Sequence, residues 1–383
     1  MKHIALFLLF SLFLFPAKAM ETDSLQVSLL TVLPRSNEVY TIFGHTALRV
    51  HDSSQNLDMV FNWGTFDFNA PYFIYHFVKG ETDYYLSYSP YDHFLYSYSM
   101  GNADIVEQTL DLPAEGKACL MQKLAENMRP ENVVYRYNFL FDNCTTRVRD
   151  LIESCSQGQL TSPQSEEKVT FRQLIHTCTQ SYPWLAFGID LLIGSGADSL
   201  INARQTMFLP EQLLSAVDKT AFVTDTRQVL QAVKEPVAPA KFWDSPAVAG
   251  YLLLTFYCII AITGWVKKRP FKGIFAFLYL VGGLAGCLVA FVSFFSDHPC
   301  VSPNWNLLWL HPLHLIAFAG CFWGVRFKIL GFYHYFNVAI LTILLLGWQV
   351  FPQAFHTADI PYILCLWLAS SYWLSINKIH RQA

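Results

Sequence analysis

The chain has 383 residues and a formal net charge of −3, with 53% hydrophobic and only 14% charged residues. A balance this close to neutral provides no strongly basic surface, so we predict no nucleic-acid partner. The apolar fraction is too high for an ordinary soluble protein. Because the apolar excess is concentrated after Ser245, the composition predicts an exported domain followed by a membrane domain.

The first 19 residues have the pattern of a secretory signal peptide. Lys2 and His3 give a basic start, Ile4 to Phe15 is apolar, and small residues precede a candidate cleavage site after Ala19. We therefore predict a signal peptide over 1–19. An uncleaved anchor helix is the alternative, and in both cases the following residues are exported.

Residues 20–235 are enough for one exported domain with its own core. Segments rich in Val, Leu and Thr predict strands over Ser24–Leu33, Thr46–His51 and Met59–Trp63. Helical periodicity with a proline near its start predicts a helix over Leu112–Asn127. Further elements are predicted as a strand over Val133–Phe141, helices at Leu151–Glu153, Phe171–Thr177 and Pro210–Val233, and a linker over 236–245.

Residues 61–98 hold an unusual density of aromatic side chains. One interpretation is a β-rich core in which tyrosines point one end outward. Another is a surface at the membrane interface, or the wall of a groove for an acyl chain. The first is the more usual interpretation, both can hold for different residues, and the sequence does not separate them.

Residues 246–383 predict an all-α transmembrane domain. Ala247–Val266 has no charged residue over twenty positions, which is long enough to cross a bilayer. The other predicted spans are Gly273–Phe295, Leu307–Val325, Gly331–Phe351 and Ile360–Ile376, which makes about five helices.

Loop charges predict the orientation of these spans. Lysine and arginine follow the first, third and fifth spans, whereas the loops Ser296–Asn306 and Pro352–Asp359 contain neither. By the positive-inside rule, the carboxyl terminus is cytoplasmic and residues 20–245 lie outside. We therefore predict a multi-pass protein of the inner membrane with a periplasmic amino-terminal domain.

The nine cysteines do not predict a disulfide framework. Four of them fall within predicted spans, where they act as small apolar residues. A bridge between Cys155 and Cys178 is possible, but spacing alone does not establish it.

A histidine, an amide and a cysteine form a candidate thiol site. His45 opens a predicted strand, Asn62 lies across the hairpin, and Cys144 begins a predicted helix. In this hypothesis His45 takes the thiol proton, Asn62 orients the imidazole and Cys144 attacks, with the amides of Thr145 and Thr146 binding the oxyanion. The alternative is a buried structural thiol and a hydrogen-bonded core histidine.

Polar residues near this cysteine are candidates for substrate binding. We assign Asn143, Arg147 and Arg149 to this role, because the forked guanidinium donors suit a lipid phosphate. Pairing of the arginines with Asp142 or Asp150 is an equally good interpretation. We find no metal-ligand or phosphate-loop spacing and predict no cofactor.

Two asparagines between the second and third predicted spans are also candidates. Asn304 and Asn306 lie at the outer edge of the membrane, where polar groups are costly unless they are used or buried. They can bind a lipid headgroup or the second substrate, or form a simple interfacial loop.

Several motifs resemble a known family. The order of histidine and cysteine in 44–50 and 142–150 is similar to that of the circularly permuted papain-like proteins of the NlpC/P60 superfamily. More closely, the chain resembles the DUF4105 family, the lipoprotein N-acyltransferase N-terminal periplasmic domain family. The segments that carry this second resemblance are 62–68, 137–140, 207–210 and 304–313.

The resemblance implies an α+β, circularly permuted papain-like periplasmic domain and the activity of a lipoprotein N-acyltransferase. The family's histidine and cysteine correspond to His45 and Cys144. Such an enzyme takes an acyl chain from a membrane phospholipid, holds it as a cysteine thioester, and transfers it to the α-amino group of the diacylglyceryl-cysteine of an apolipoprotein.

Two alternatives from other classes stay open. A membrane-anchored hydrolase of the same superfamily, either a cell-wall peptide amidase or a phospholipase, would transfer the acyl group to water. A non-catalytic receptor or scaffold would only bind. The reactivity of Cys144 and the final acceptor of the acyl group separate these three functions.

Overall fold

The computed structural model describes residues 24–35, 39–158, 160, 168–233, 242–322 and 327–382. The predicted signal peptide over 1–19 and most of the predicted linker over 236–245 lie outside the described residues.

A seven-stranded antiparallel sheet forms the centre of the amino-terminal domain, with strand order β6-β4-β3-β2-β1-β5-β9. Its strands are β1 Leu25–Val32, β2 His45–Asp52, β3 Leu57–Thr65, β4 Asp83–Pro90, β5 Ile105–Leu110, β6 Val134–Arg136 and β9 Val223–Leu230, while β7 Val169–Thr170 and β8 Leu200–Ile201 form a separate pair. The domain is therefore of the α+β class once its helices are added.

The helices of this domain are α1 Phe73–Lys79, α2 Tyr91–Met100, α3 Ala114–Asn127, α4 Cys144–Cys155, α5 Phe171–Thr179, α6 Pro183–Leu192, α7 Ala203–Thr206 and α8 Pro210–Asp218. They cover both faces of the sheet. On one face α3 and α4 pack through Leu120 and Ile152 against Leu29 and Leu48. On the other face α2 packs through Phe94 against a cluster that includes Leu30, Ala47 and Val60. Neighbouring residues of a strand point to opposite faces, which is why Leu29 and Leu30 join different clusters.

The predicted strands at Ser24–Leu33, Thr46–His51 and Met59–Trp63 are confirmed as β1, β2 and β3, and the predicted helix at Leu112–Asn127 is confirmed as α3. These segments have local patterns strong enough to decide their structure. The sequence did not predict α1, β4 and α2, because the aromatic residues of that region suit a strand and a helix equally well.

Two predicted elements are wrong in extent. The strand predicted over Val133–Phe141 ends at Arg136, because the Asn138 side chain then accepts the backbone N–H groups of Leu140 and Phe141 and forms a turn. The helix predicted over Pro210–Val233 ends at Asp218. The chain then returns as β9, which pairs with β5 at the sheet edge, so a long-range pairing overrides the helical tendency.

One disulfide joins two helices of this domain. It links Cys119 in α3 to Cys155 in α4, with a Cα–Cα distance of 5.7 Å. The possible bridge between Cys155 and Cys178 is therefore wrong, and Cys178 is a free thiol. Spacing along the chain did not indicate the true partner, because it depends on the side-by-side packing of α3 and α4 in the core.

The carboxyl-terminal part contains α9 Pro246–Lys267, α10 Lys272–Phe295, α11 His314–Phe322, α12 Phe327–Leu346 and α13 Asp359–Gln382. Among the described residues, α9, α10 and Lys328–Leu346 are long and apolar enough to cross a membrane. Five spans therefore stay a prediction. The third predicted span differs most, because α11 begins only at His314, after Pro312 has excluded a regular helix.

Buried polar contacts join the two parts of the molecule. In α5, the Arg172 guanidinium binds Asp190 at 2.7 Å and Asp198 at 2.8 Å, and it also donates to the carbonyls of Ile193 and Gly194. Asn306 donates from the membrane part to the Asp190 carbonyl at 2.9 Å. The amino-terminal domain is thereby held against the outer ends of the membrane helices.

Candidate active site

The proposed base and nucleophile stand at the first residues of two packed elements. His45 begins β2 and Cys144 begins α4. Next to them, the Thr46 and Thr145 hydroxyls form a buried hydrogen bond of 3.1 Å between strand and helix. Gly44 precedes β2 with φ of +75°, and a Cβ there would lie 2.6 Å from the Val32 carbonyl oxygen, so the approach to His45 requires glycine.

A capping box starts α4 at the cysteine. The Asn143 side-chain oxygen accepts the backbone N–H groups of Thr145 and Thr146 at 2.8 Å each, and the Thr146 hydroxyl accepts the Asn143 N–H at 2.7 Å. These bonds fix Cys144 at the positive end of the helix dipole, which favours a thiolate.

The same cap corrects two sequence-based expectations. The amides of Thr145 and Thr146 are occupied by Asn143, so they are not available to bind an oxyanion. Asn143 is buried on the cavity wall, and its amide nitrogen donates to the Phe139 and Phe208 carbonyls. With both ends of its amide in use, Asn143 holds the helix start rather than a substrate.

The structure brings all three residues of the predicted constellation together. One ring nitrogen of His45, Nε2, lies 3.2 Å from the Asn62 side-chain oxygen. The imidazole also interacts with the Cys144 thiol, closely enough to shift its pKa. The Asn62 contact fixes one orientation of the ring, as the predicted role of Asn62 requires.

A bulge in β3 supports this arrangement. The register between β3 and β4 shifts between Asn62 and Thr65, and Gly64 has φ of +91°. A bulge re-aims the side chains beside it, here that of Asn62. A Cβ added at Gly64 would lie 3.5 Å from the Cys144 Cβ, so the glycine also keeps the space beside the nucleophile open.

The pKa values of the pair shift in opposite directions. Burial by itself would raise the pKa of Cys144, but the charge and hydrogen bond of His45 and the Thr46 backbone N–H bring it below the usual thiol value. Burial by itself would lower the pKa of His45, but the adjacent Cys144 thiolate and the Asn62 hydrogen bond bring it above the usual imidazole value. Both shifts favour a thiolate–imidazolium pair at neutral pH.

A largely apolar cavity of about 790 Å³ opens beside this pair. His45, Asn62 and Cys144 lie on its wall. Its aromatic lining includes Phe43, Phe66, Phe68, Phe73, Phe77 and Phe139. The volume is within the ~300–1,000 Å³ of small-molecule sites, and the lining suits an apolar ligand with one reactive end.

The membrane part contributes to the cavity wall. His298, in the loop after α10, lines the cavity, and its Nε2 lies 2.6 Å from the Phe77 carbonyl oxygen. Ser296 donates to the Val78 carbonyl at 3.0 Å, and the Asp297 N–H donates to the Lys79 carbonyl at 2.8 Å. The membrane part is thus more than an anchor, because its loop completes the cavity.

Four residues assigned to substrate binding from the sequence lie away from the cavity. Arg147 binds Asp142 with two contacts of 2.6 and 2.8 Å and stacks on Tyr135 at 3.7 Å. Arg149 is buried and binds Asp150. Pairing with neighbouring aspartates, one of the two interpretations of these arginines, is therefore confirmed.

Asn304 and Asn306 are likewise structural. Both are buried, and their amide nitrogens donate to backbone carbonyls at the end of α6, those of Asp190, Leu191 and Leu192. These hydrogen bonds join the two parts of the molecule, and a headgroup role for the two asparagines stays a prediction.

Sequence reasoning missed Arg35. It lines the cavity, donates to the Gly101 carbonyl at 3.0 Å, and its positive charge acts to lower the pKa of His45. No local pattern marks this residue, which follows Leu33 and Pro34 at the end of β1. Only the packing of β1 beside α2 brings the guanidinium to the cavity.

Comparison with known proteins gives two matches to family models. Residues 15–177 match the Lnb N-terminal periplasmic domain, and residues 239–380 match the Lnb transmembrane domain. No curated protein and no solved structure matches the chain, so the papain-like relationship stays a prediction. The chain therefore combines a periplasmic and a transmembrane domain in the order of the Lnb proteins, consistent with the lipoprotein N-acyltransferase family.

Proposed function

We propose that this protein is a lipoprotein N-acyltransferase that works through a thioester on Cys144. The observation that carries the proposal is the hydrogen-bonded His45–Cys144 pair on the wall of an apolar cavity that a membrane loop completes. The pair supplies an activated nucleophile, and the cavity suits an acyl chain. The two Lnb domain matches support this class of reaction.

In the first half-reaction the donor is a phospholipid of the inner membrane. The Cys144 thiolate attacks the carbonyl carbon of an acyl ester, and the carbon–oxygen bond to the glycerol breaks. The His45 imidazolium gives its proton to the departing glycerol oxygen, which releases a lysophospholipid. Because Asn143 takes the amides of Thr145 and Thr146, we assign the N–H of Cys144, at the first position of α4, to the developing oxyanion.

In the second half-reaction the acceptor is the free α-amino group of a diacylglyceryl-cysteine at the end of an apolipoprotein. The amine attacks the thioester carbonyl, neutral His45 takes the excess proton, and the sulfur leaves as a thiolate. This restores the thiolate–imidazolium pair. We also assign Arg35, on the cavity wall, to the phosphate of the donor headgroup.

Water must be kept away from the thioester for transfer to exceed hydrolysis. The aromatic walls of the cavity serve that requirement. They also favour a lipid ester over a polar cell-wall peptide as the first substrate. A phospholipase would share the first half-reaction and differ only in passing the acyl group to water.

The test uses the full-length protein in lipid vesicles with a radiolabelled phospholipid and a synthetic diacylglyceryl lipopeptide. Wild type should form a hydroxylamine-sensitive acyl-enzyme and then N-acyl lipopeptide, as seen by mass spectrometry. Cys144→Ser should form neither, whereas Cys178→Ser, which removes a free thiol of α5, should form both.

Three results would contradict the proposal in different ways. Transfer by Cys144→Ser at the wild-type rate would exclude the thioester. Release of free fatty acid with no acylated lipopeptide would indicate a phospholipase. Absence of any acyl-enzyme in the wild type would favour a binding protein.

A further inference from the structure

Helix α1 has two apolar faces with different surroundings. Phe73 and Phe77, one helical turn apart, line the cavity. Tyr72, just before the helix, and Ile74 on its other face are 82% and 78% exposed. Tyr75 is also exposed. A helix of seven residues therefore presents large apolar side chains both to the cavity and to its outside.

The outside of α1 exposes more large apolar side chains than a water-exposed protein surface of this size usually does. Three large apolar side chains that do not line the cavity are exposed here, namely Tyr72, Ile74 and Tyr75. A contiguous apolar patch of this kind marks a protein or membrane contact. The remaining question is which of these two partners covers it.

The attachment of α1 identifies the partner. Its last carbonyls, at Phe77, Val78 and Lys79, bind the loop after α10, and the Tyr75 ring lies tilted beside Phe291 of that membrane helix, with 6.4 Å between the ring centroids. Gly80 follows with a backbone so close to this loop that a Cβ would lie 2.8 Å from the His298 nitrogen. The helix is therefore fixed against the periplasmic end of α10.

The exposed surface of α1 continues the lipid-facing surface of α10. Phe294 and Phe295, in the last turn of α10, are 69% and 67% exposed. In a transmembrane helix such side chains face acyl chains. The Phe291 ring lies near Tyr75 and, at a centroid distance of 5.9 Å, is stacked with Phe295, so the patch on α1 joins this surface and the same bilayer covers both. Aromatic residues, including Tyr72 and Tyr75, are the types enriched at this depth.

We propose that α1 lies in the periplasmic leaflet of the membrane and forms the lateral wall of the cavity mouth, so that a lipid acyl chain enters the cavity from the leaflet past α1. The contact with the leaflet stands on the geometry of α1 alone. The identity of the entering chain as the acyl donor rests on the proposed function.

The first experiment tests the leaflet contact without any reaction. The full-length protein, with p-benzoylphenylalanine replacing Ile74, is placed in nanodiscs of phosphatidylethanolamine and phosphatidylglycerol and irradiated. We expect covalent adducts with phospholipid, detected by intact-mass spectrometry. The same substitution at Ser53, in the exposed turn between β2 and β3 at the strand ends opposite to His45, should give none.

Equal lipid adducts at both positions, or none at Ile74, would overturn the leaflet contact. Adducts from Ile74 only to a second copy of the chain would show instead that the patch is an interface between subunits. None of these results depends on N-acylation, so the leaflet contact survives or fails independently of the proposed function.

The second experiment tests lateral entry. In Ile74→Gln/Tyr75→Gln, acyl-enzyme formation from bilayer phospholipid should fall at least about tenfold, because two side chains lose their apolar contact with the leaflet. Acylation by a soluble short-chain thioester and alkylation of Cys144 should be unchanged. An equal loss with both acyl donors would overturn lateral entry and indicate damage to the site itself.

Discussion

Two buried polar clusters of this molecule contain similar kinds of residues but have different surroundings. Around Arg172 the guanidinium is paired with Asp190, Asp198 and two backbone carbonyls, and it does not line the cavity beside Cys144. Around Cys144 the sulfur has the His45 imidazole, the Thr46 N–H and the Thr145 hydroxyl as neighbours, and a cavity of about 790 Å³ opens beside it. The Arg172 cluster holds two domains together, whereas the Cys144 sulfur lies beside open space that a ligand can enter.

The comparison also bears on four residues that the sequence assigned to substrate binding. Arg147, Arg149, Asn304 and Asn306 satisfy their donors on nearby carboxylates or backbone carbonyls. A side chain with satisfied donors has little to offer a substrate, because binding would first break those bonds. Arg35 differs from these four residues in its position, since its side chain lies on the cavity wall.

The largest expected effect is on the reacting cluster. His45→Ala removes the group that activates the thiol and moves protons in both half-reactions, so acyl transfer should fall about 10³-fold. Thermal unfolding in detergent should change little, because the ring is only partly buried. Burst kinetics of acyl-enzyme formation provide the measurement, and a loss under fivefold would remove His45 from the mechanism.

A substitution at Arg172, in the cluster that holds the two domains together, should lower the free energy of unfolding. Arg172→Ala leaves the buried carboxylate of Asp190 without its guanidinium, which costs about 3–5 kcal/mol of unfolding free energy. The measurement is chemical denaturation in detergent. Arg204→Ala, at a half-exposed ion pair with Asp150, serves as the control and should cost under about 1 kcal/mol. Similar losses of unfolding free energy in the two variants would contradict the difference expected between a buried and a half-exposed ion pair.

The pH dependence of thiol reactivity distinguishes the reacting pair from an ordinary cysteine. A lowered Cys144 pKa keeps the thiolate present as pH falls below the usual thiol pKa of about 8.5, and the raised His45 pKa keeps the imidazolium present as pH rises above about 6.5. Alkylation at pH 6 should therefore be roughly a hundredfold faster in wild type than in His45→Ala. Coincident pH profiles would show that the pair is not ionised.

A smaller effect is expected for the residue that orients the imidazole. Asn62→Ala removes the 3.2 Å contact to Nε2 and should lower acyl transfer about tenfold to a hundredfold. Asn62→Asp keeps an acceptor oxygen and should retain most of the activity. If alanine and aspartate were equally harmful, the role of Asn62 would be packing rather than orientation.

The smallest effect on stability and acyl transfer is expected at Gly64, in the bulge of β3. Gly64→Ala puts a side chain at φ of +91° and a methyl group 3.5 Å from the Cys144 Cβ. We expect a stability cost of about 1–2 kcal/mol and a rise in KM for the acyl donor, because the new methyl group narrows the space beside the sulfur. Unchanged KM with lowered stability would place the effect in the backbone alone.

Much of the fold was predictable because its signals are local. The strands β1 to β3, the helix α3 and the apolar helices α9 and α10 follow from residue types that recur with the period of each structure. The start of α4 at Cys144 is similar, since Asn143 and Thr146 form a capping box within four residues. The candidate pair of His45 and Cys144 was recognisable from the short motifs around each residue.

The remaining features depend on residues that meet only after folding. Neither the Cys119–Cys155 bridge nor the pairing of β9 with β5 has a local signal. The aromatic segment shows this best. Its composition allowed both a core and a lipid-facing groove, and the residues divide between the two, with Trp63 and Phe94 in the core and Phe73 on the cavity wall.

Residue types and their spacing are fully visible in the sequence. They were sufficient to predict an exported thiol site that is joined to apolar helices. Which polar groups stay reactive was decided by three-dimensional packing, because a hydrogen-bonding group is either satisfied or exposed to a cavity according to its distant neighbours. Asn143 became a cap, Arg147 an ion-pair partner and His298 part of the cavity wall for that reason.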